Sequence, residues 1–471
     1  MPRAHAAGSA PRRNIVFFLI DDMRFDAMSF MGHPFLETPN LDALAAGGVV
    51  FNNAFVTTAL CSPSRATILT GQYAHVHGIF DNSTPLPDTA PTFPRELQRA
   101  GYRTGFAGKW HMGGESDDPQ PGFDDWFSFR GQGVYVDPVL NINGKRDQAK
   151  GYVTDLITDH AVEFITKRTE APFFLYVSHK AVHAEFIAAD RHKGRYADKT
   201  YPHPASMEDT EENYKGKPDW VRAQRDSWHG VEGMYDKKVD FDEFTRAYAE
   251  TMLAVDDSVG RIVDTLRSEG LLDSTLIVFT SDNGFLFGEH GLIDKRCMYE
   301  PSIRVPLIAH CPELIAAGQK RQEVVANIDF APTFLEAAGA AIPEGVQGRS
   351  FLGLLSGKET AWREALLYEY FWERSFAQTP SVLGVRTERY KLMKYHGVWD
   401  CYDMYDLEAD PHEMTNLLGD FRISTEGGTL DNLIRRKAPE NVKTLFNDLD
   451  KKLGALLEET GCLAEPSWRA R

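Results

Sequence analysis

Four segments of the chain consist almost entirely of apolar residues and lack the alternation of a half-exposed strand. Such continuous runs are typical of strands that are buried on both faces, as in a parallel sheet. Between them, apolar residues recur every three or four positions, which is the period of an amphipathic helix. The predicted strands are 14–20, 172–178, 275–280 and 305–309, and the predicted helices are 39–46, 61–71, 91–100 and 244–266. Alternating strands and helices predict an α/β fold with a large, mostly parallel sheet between layers of helices.

The pattern changes after about residue 356. Short strand-like segments follow one another at 365–370, 382–386, 390–395 and 402–407, and a helix with one apolar face covers 442–457. Consecutive short strands joined by turns favour an antiparallel sheet. We therefore predict two domains, a large α/β domain over 1–360 and a smaller α+β subdomain, an antiparallel sheet plus a helix, over 361–471.

The segment 190–242 fits neither pattern, because it is rich in charged residues, His and Pro and has no clean period. A connection of this length is either a surface insertion or a lid that faces the substrate. Three of its basic residues, His192, Arg195 and His203, either contact a ligand or lie in solvent.

An excess of acidic residues limits the partners of the chain. Its 68 Asp and Glu against 51 Lys and Arg give a formal net charge of −17. Nucleic acids and anionic membranes both need a basic surface, so neither nucleic-acid binding nor membrane insertion is expected. A small anionic substrate is compatible with this charge, because a cationic pocket can lie inside an acidic exterior.

The cysteines and the first residues bear on the compartment. Five cysteines at wide and irregular spacing do not resemble a disulfide framework or a zinc site, so free thiols are expected. The first thirteen residues are polar and basic and contain no apolar signal-peptide core, and the apolar run 15–20 is too short to cross a bilayer. This predicts a cytoplasmic protein; the alternative is a periplasmic or secreted protein whose export signal has been trimmed.

Oxygen-bearing side chains follow two of the predicted strands, at the sheet edge where α/β folds gather their ligands. Asp21 and Asp22 come directly after the first strand, and Asp282 and Asn283 come after a later one. Adjacent carboxylates repel each other unless a cation separates them. Four hard oxygen ligands favour Ca²⁺ or Mg²⁺ over zinc.

Anion-binding groups accompany these carboxylates. Cys61 stands at a predicted helix start, where backbone amides favour anions, and Arg65 offers a planar fork for an oxyanion. Cations and proton-transfer groups stand near other strand ends, at Lys109, His111, His183 and Lys295.

Taken in order, these segments resemble a known family. Cys61-x-Pro63-x-Arg65 followed by Leu69-Thr-Gly71 resembles the signature of the type I sulfatases, which belong to the alkaline phosphatase superfamily. The resemblance covers most of the chain. Its further matching segments are Asp21-Asp22, Gly108-Lys-Trp-His111, Lys180-Ala-Val-His183, Asp282-Asn283-Gly284, Gly288-Glu-His-Gly291, Lys295, Ile303-Arg-Val-Pro306 and Tyr405-Asp-Leu-Glu-Ala-Asp-Pro411.

The resemblance implies that a separate maturation enzyme, formylglycine-generating or equivalent, converts Cys61 to formylglycine. The hydrated aldehyde, a geminal diol, would then be the nucleophile, and Asp282 would activate its hydroxyl. It also implies a Ca²⁺ ion, with Mg²⁺ as the less favoured choice, which would lower the cost of forming an alkoxide. The implied ligands are Asp21, Asp22, Asp282, Asn283 and the modified residue 61.

The resemblance also implies a role for each polar group around the nucleophile. Arg65 would hold the hydrated aldehyde, and Lys109 and Lys295 would neutralise the sulfate oxygens. His183 would protonate the leaving alcohol, and His111 would take a proton from the second hydroxyl.

Two positions are less well matched. The family often has Pro where this chain has Val182, just before the leaving-group histidine. His290 matches only a general pattern, as either a substrate contact or a structural hydrogen bond.

The C-terminal segments 369–372 and 384–391 are similar to those of carbohydrate sulfatases, in particular the N-acetylglucosamine-6-sulfatase and iduronate-2-sulfatase families. This implies an enzyme that removes sulfate from a small sulfated sugar or oligosaccharide, with activity on aryl sulfates in vitro. Tyr370 and Trp372 either stack on a sugar ring or pack in the core. The alternatives are a phosphonate monoester or phosphodiester hydrolase of the same superfamily, and a non-catalytic binding protein in which Cys61 stays a thiol.

Overall fold

The structure is a computed structural model, and it describes residues 12–167, 169–236, 240–358, 361–396, 401–421 and 429–462. Residues 1–11, on which the expectation about a signal peptide largely depends, lie outside these ranges, as do residues 237–239 of the charged insertion. No helix in the described part of the chain combines the length and apolar character that a membrane crossing requires.

A ten-stranded sheet forms the centre of the larger unit. Its five middle strands are parallel, and most of the outer pairs are antiparallel. This confirms the predicted mostly parallel sheet. From edge to edge the strands are Gln319–Arg321, Val49–Phe51, Leu307–His310, Thr275–Ser281, Asn14–Ile20, Phe173–Ser178, Arg103–Lys109, Asp125–Phe129, Val139–Ile142 and Lys145–Gln148.

Both faces of the strand Asn14–Ile20 are buried, which explains why its sequence is continuously apolar. Ile15, Phe17 and Leu19 belong to one hydrophobic core. Val16, Phe18 and Ile20 belong to a second core on the opposite face. Helices cover both faces, with Pro39–Ala46, Val153–Thr166 and Phe241–Ser268 on one side and Cys61–Thr70, Phe93–Arg99 and Phe330–Ala337 on the other.

The C-terminal residues form a second, antiparallel sheet, as predicted. Its strands are Ala365–Tyr370, Ser381–Thr387, Tyr390–His396 and Cys401–Asp406, and the helices Leu430–Lys437 and Glu440–Thr460 follow them. Leu366 and Tyr368 of this sheet share one hydrophobic core with Phe17 of the large sheet. The two units therefore pack through a continuous apolar interior, and the boundary after residue 360 stays a prediction.

Short elements complete the described chain. The helices are Ala74–His77, Glu211–Tyr214, Asp219–Ala223, Glu300–Ile303 and Leu352–Leu355. The strand pairs are Ala54–Phe55 with Val325–Ala326 and Leu286–Phe287 with Ile293–Asp294.

Candidate active site

Carboxylates converge where two neighbouring parallel strands end. Ile20 pairs with Ser281, so the residues that follow these two strands leave the sheet side by side. Asp21, Asp22 and Asp282 are all fully buried there. Cys61 completes the cluster, with its Sγ 3.5 Å from Asp21 Oδ1. The structure therefore brings together residues that lie up to 261 positions apart in the chain.

Cys61 is the first residue of a helix, Cys61–Thr70, all of whose residues are buried. Leu60 precedes it and has no side-chain acceptor for the free amides of the first turn, but Asn82 Oδ1 accepts the Ser62 N–H at 3.0 Å. Gly71 ends the helix with φ +65°, and a Cβ there would lie 2.8 Å from a methyl carbon of Val346. Both the conformation and the space at this position require glycine.

Arg65 lies one helical turn after Cys61 and connects several strand ends. Its Nε is 2.8 Å from Asp282 Oδ2. Its Nη1 donates to the carbonyl of Lys109 at 2.7 Å and to Ser178 Oγ at 2.8 Å. The guanidinium thus fixes the nucleophile helix against the carboxylate cluster.

Two lysines neutralise the remaining carboxylates. Lys109 Nζ forms an ion pair with Asp21 and lies 4.0 Å from Cys61 Sγ. Lys295 Nζ forms an ion pair with Asp22. With Arg65, these two lysines match the number of carboxylates in the cluster, which is three.

His183 and His111 lie near the same cluster. His183 Nδ1 is 2.6 Å from the Ala184 carbonyl, which makes Nδ1 the donor and leaves Nε2 3.8 Å from Asp22 Oδ2. The His111 carbonyl accepts a hydrogen bond from Ser62 Oγ. Burial and the charge of Lys109 hold the pKa of both imidazoles well below the usual value, so both are neutral at pH 7.

Val182 stands where the family often has proline, and its backbone N–H makes a hydrogen bond. The Val182 N–H donates to the Asp21 carbonyl at 2.7 Å. Proline has no such donor, so this chain ties the histidine segment to the carboxylate segment by a bond that proline could not make.

The pKa values of the cluster show the cost of burying ionisable groups. Burial raises the pKa of Asp21, but Lys109 and the other cations outweigh it and hold that pKa well below its ordinary value. Burial raises the pKa of Asp22 to about 7, against the opposing effect of Lys295. Burial also raises the pKa of the Cys61 thiol, so an unmodified Cys61 is a neutral, weak nucleophile.

Two buried oxygens in this cluster fit a cation. Asn283 Nδ2 donates to Asp22 Oδ1 at 2.7 Å. Asp22 Oδ2 and Asn283 Oδ1 have no hydrogen-bond donor among the described residues. Ligand atoms of Asp21, Asp22 and Cys61 lie within 4.8 Å of one another. Hard oxygen donors with unused lone pairs suit Ca²⁺ or Mg²⁺, as the sequence predicted.

His290 is buried and packs on an aromatic ring. Its ring is 2% exposed and stacks on Tyr299 with centroids 4.0 Å apart. Its backbone N–H donates to Ser206 Oγ and its backbone carbonyl accepts from Tyr214, whereas its ring Nδ1 is buried without a hydrogen-bond partner among the described residues. Both the substrate contact and the structural hydrogen bond of the His290 side chain therefore stay predictions.

The sequence did not single out the residues that flank Lys295. Asp294 and Arg296 both have positive φ, +79° and +77°, in a chain where few non-glycine residues do. Arg296 binds Asp294 at 2.7 Å and Glu373 at 2.8 Å. Asp294 also lies 3.5 Å from Lys295 Nζ. In the sequence, the charged residues on both sides of Lys295 were the signal that could have identified Asp294 and Arg296.

Part of the charged insertion packs against this segment. The Ile293 N–H donates to the His229 carbonyl at 2.6 Å, and Val231 donates to Gly291. His229 Nδ1 lies 3.1 Å from Asp294 Oδ2. The insertion therefore contributes to the wall behind Lys295.

The three basic candidates of the insertion have partners within the described chain. His192 binds Asp257 at 2.7 Å, and Arg195 binds Glu37 at 2.7 Å. His203 packs edge-on against Phe241.

The two aromatic candidates differ. Tyr370 is fully buried and donates to Glu373 at 2.7 Å, so it belongs to the core. Trp372 is 41% exposed. Its neighbour Phe371 packs on Phe80 with centroids 4.7 Å apart, close to the Asn82 loop that caps the nucleophile helix.

Comparisons with known proteins agree with this geometry. The profile of the family named Sulfatase matches residues 13–340, and a profile named N-sulphoglucosamine sulphohydrolase, C-terminal, matches residues 288–438. An N-acetylglucosamine-6-O-sulfatase of Bacteroides thetaiotaomicron is 37% identical in an alignment that covers 87% of this chain and 83% of that protein.

Two solved structures illustrate how widely this fold is shared. One, described as a complex with its substrate D-glucosamine-2-N,6-O-disulfate, has a TM-score of 0.84 at 32% identity and covers 97% of this chain and 99% of its own. A phosphonate monoester hydrolase of Agrobacterium radiobacter has a TM-score of 0.77 at 22% identity and covers 94% and 96%. The second likeness shows only that the fold is shared.

Proposed function

The chain belongs to the sulfatase family, and from that membership we propose that it hydrolyses the sulfate ester of a sulfated carbohydrate, with formylglycine at position 61 and a bound Ca²⁺. The observation that carries the proposal is the position of Cys61. It lies fully buried at a helix start, 3.5 Å from a carboxylate oxygen of Asp21 and 4.0 Å from the ammonium of Lys109. A residue so placed can attack an anion that the neighbouring cations hold.

Asp21, Asp22, Asp282 and Asn283 would hold the ion, together with the oxygen of the modified residue 61. When bound, a divalent cation neutralises negative charge and acidifies a coordinated hydroxyl. The unused oxygens of Asp22 and Asn283 support this assignment. The carboxylate and amide ligands favour Ca²⁺ over transition metals.

Lys109 and Lys295 bind the sulfate oxygens in this proposal. Both ammonium groups are buried, and buried charge–charge interactions are weakly screened by solvent. Arg65 holds Asp282 and the start of the nucleophile helix in fixed positions. Such preorganised cations stabilise negative charge that develops on the sulfate as the ester bond breaks.

Two histidines move protons. The hydrogen bond of Nδ1 to the Ala184 carbonyl orients His183 so that Nε2 faces the cluster, where it must take up a proton before it can protonate the leaving alcohol. An anionic substrate would raise the low proton affinity of this imidazole. Neutral His111 is suited to accept a proton from the nucleophile.

The choice of a sugar substrate has its own support. The Bacteroides relative is named an N-acetylglucosamine-6-O-sulfatase, and the solved structure is named as a complex with a disulfated glucosamine. In this chain, Trp372 is 41% exposed, and aromatic faces pack well against sugar rings. We therefore propose a sulfated amino sugar as the substrate.

The test is a comparison of substrates on protein that was produced together with a maturation enzyme. We expect the wild type to release sulfate from N-acetylglucosamine 6-sulfate and from p-nitrophenyl sulfate, and to be slower on phenyl phosphonate. Cys61→Ser should lose turnover by at least about 1,000-fold, because a plain hydroxyl cannot eliminate sulfate. Cys311→Ser alters a buried thiol whose Sγ lies 3.5 Å from the Asp273 carbonyl, and it should retain activity.

Two further measurements separate the alternatives. Chelation should abolish turnover, and added Ca²⁺ should restore it. Mass spectrometry of the Cys61 peptide should show the aldehyde. A strong preference for phenyl phosphonate would favour the phosphonate hydrolase, whereas an intact thiol in fully active protein would contradict the formylglycine assignment.

A further inference from the structure

Lys180 is a buried cation near the site with an unusual environment. It follows the strand Phe173–Ser178, and its residue is 4% exposed. Its Nζ lies over the ring of Tyr135, 4.6 Å from the centroid. Within the described ranges, no carboxylate lies within ion-pair distance of this ammonium. A buried cation without a paired anion is costly.

Among the other buried lysines of the described chain, Lys217 donates to two backbone carbonyls, and the remaining three pair with carboxylates. Lys109 and Lys295 form ion pairs with Asp21 and Asp22. Lys391 forms ion pairs with Glu300 and Glu413. Lys180 thus differs from these three in lacking a carboxylate contact, which suggests that its anion comes from outside the chain.

Three hydrogen bonds hold the segment 180–183, which contains Lys180, beside the catalytic groups. The Lys180 carbonyl accepts from the His183 N–H at 3.0 Å, so both residues belong to one turn. The next residue, Ala181, accepts from the Asp21 N–H at 3.1 Å. Tyr135, whose ring the ammonium covers, donates to the His183 carbonyl at 2.6 Å.

The charges that act on Lys180 are those of the site. Burial and repulsion from Lys109 lower the pKa of Lys180 to about 8, while Asp21 and Asp22 oppose this effect. The side chain therefore stays cationic at neutral pH. An anion that binds near Cys61 would gain from this charge without displacing an existing partner.

We propose that Lys180 is a further substrate-binding residue, whose ammonium binds an anionic oxygen of the sulfate group that the enzyme cleaves. This rests on the proposed function, since it takes a sulfate ester as the ligand. Lys180 would act with Lys109 and Lys295, and it would add a positive charge that no carboxylate of the described residues pairs with. The turn that carries His183 would then bind the sulfate as well as protonate the leaving group.

The experiment measures binding of inorganic sulfate by calorimetry to the matured, Ca²⁺-loaded protein at constant ionic strength. Lys180→Met keeps an unbranched side chain of similar shape and removes its charge, so we expect the Kd for sulfate to rise at least about tenfold, the usual effect of losing a charge-assisted hydrogen bond. Lys180→Arg should restore part of the affinity. KM for a sulfate ester should rise in parallel.

Lys394→Met is the matched control. Lys394 also covers a tyrosine ring, that of Tyr402 at 4.7 Å, but it pairs with Asp431 and Asp450 in the C-terminal unit. Its removal should leave sulfate binding unchanged. Thermal melting checks that each variant is folded, and Lys180→Gln replaces Lys180→Met if the latter does not fold.

Unchanged sulfate affinity in a folded Lys180→Met or Lys180→Gln protein would overturn the proposal. Because calorimetry needs no turnover, the two proposals fail separately. A protein that hydrolyses no sulfate ester, but binds sulfate in a Lys180-dependent way, would contradict only the proposed function. A sulfatase that is indifferent to Lys180 would contradict only this inference.

Discussion

At the scale of single residues, the most informative side chains are those whose charge is costly where it lies. Asp22 is fully buried between other carboxylates, and burial raises its pKa to about 7. Its Oδ2 is also without a hydrogen-bond donor in the described part of the chain. A fold tolerates such a residue when a ligand compensates it, and the structure places this cost at the candidate metal site.

His75 is the opposite case, a charge that its surroundings stabilise. Its Nδ1 is 2.7 Å from Glu369 Oε2, and its Nε2 is 3.0 Å from the Thr460 carbonyl. Burial lowers the pKa of His75, but hydrogen bonds with Cys462 and Glu369 outweigh it and raise that pKa to about 10. The ion pair links the helix Ala74–His77 to the strand Ala365–Tyr370, and the hydrogen bond to Thr460 reaches the end of the last described helix.

This pKa predicts how His75 contributes to stability. Because the folded pKa lies above the unfolded value of 6.5, the contribution is complete below pH 6.5 and is lost as the pH rises towards 10. The loss is at most about 1.4 kcal/mol for each pH unit. The free-energy difference between the wild type and His75→Gln, measured by urea unfolding at constant Ca²⁺, should therefore shrink between pH 6 and pH 10. A difference that does not vary with pH would contradict this assignment.

At the scale of elements, the charged insertion has two parts with different surroundings. His192 pairs with Asp257 on the helix Phe241–Ser268. His229 pairs with Asp294, and its carbonyl binds the backbone beside Lys295. Both are His–Asp pairs from one insertion, but only the second lies next to a candidate catalytic lysine.

This contrast gives a paired prediction. His229→Ala should lower kcat by about tenfold or more, because a small displacement of a positioned cation weakens stabilisation of the transition state. His192→Ala should leave kcat within about twofold of the wild type. His229→Asn, which can still donate to Asp294, should recover part of the loss. Equal effects of the two alanine substitutions on kcat would show that the insertion acts only through stability.

At the scale of the whole molecule, the net charge of −17 surrounds a pocket that holds four buried cations, Arg65, Lys109, Lys180 and Lys295. A long polyanion meets repulsion outside that pocket, whereas a small sulfated sugar meets little of it. The range of this repulsion is about 10 Å at 0.1 M salt and about 30 Å at 0.01 M. Short or lightly sulfated substrates are therefore expected to be preferred at low ionic strength.

The salt dependence of the rate tests this expectation. The kcat/KM for an oligosaccharide with several sulfates should rise as salt increases from about 0.01 M to 0.1 M, where the repulsion becomes screened. A monosulfated monosaccharide, assayed at the same Ca²⁺ concentration, should respond less. A steady fall in kcat/KM for the oligosaccharide over this range would mean that attraction by the pocket outweighs the acidic exterior.

The sequence by itself determined the parts of the molecule that depend on local pattern. Continuous apolar runs such as 14–20 predict doubly covered strands, because burial on both faces leaves no room for polar alternation. The residues after those strands then share one sheet edge, which is why Asp21 and Asp282 could be placed together. The arrangement around Cys61 and Arg65 is equally local, since both lie on one helix.

Only the tertiary structure decided the contacts between segments that are distant in the chain. The strand Leu307–His310 is antiparallel to its neighbour, although its composition resembles that of the parallel strands. His229 meets Asp294, and Lys180 lacks a carboxylate partner among the described residues, because of how loops pack across the sheet edge. Such pairings depend on which surfaces meet in the folded chain, and the period of a sequence records only whether a residue is buried.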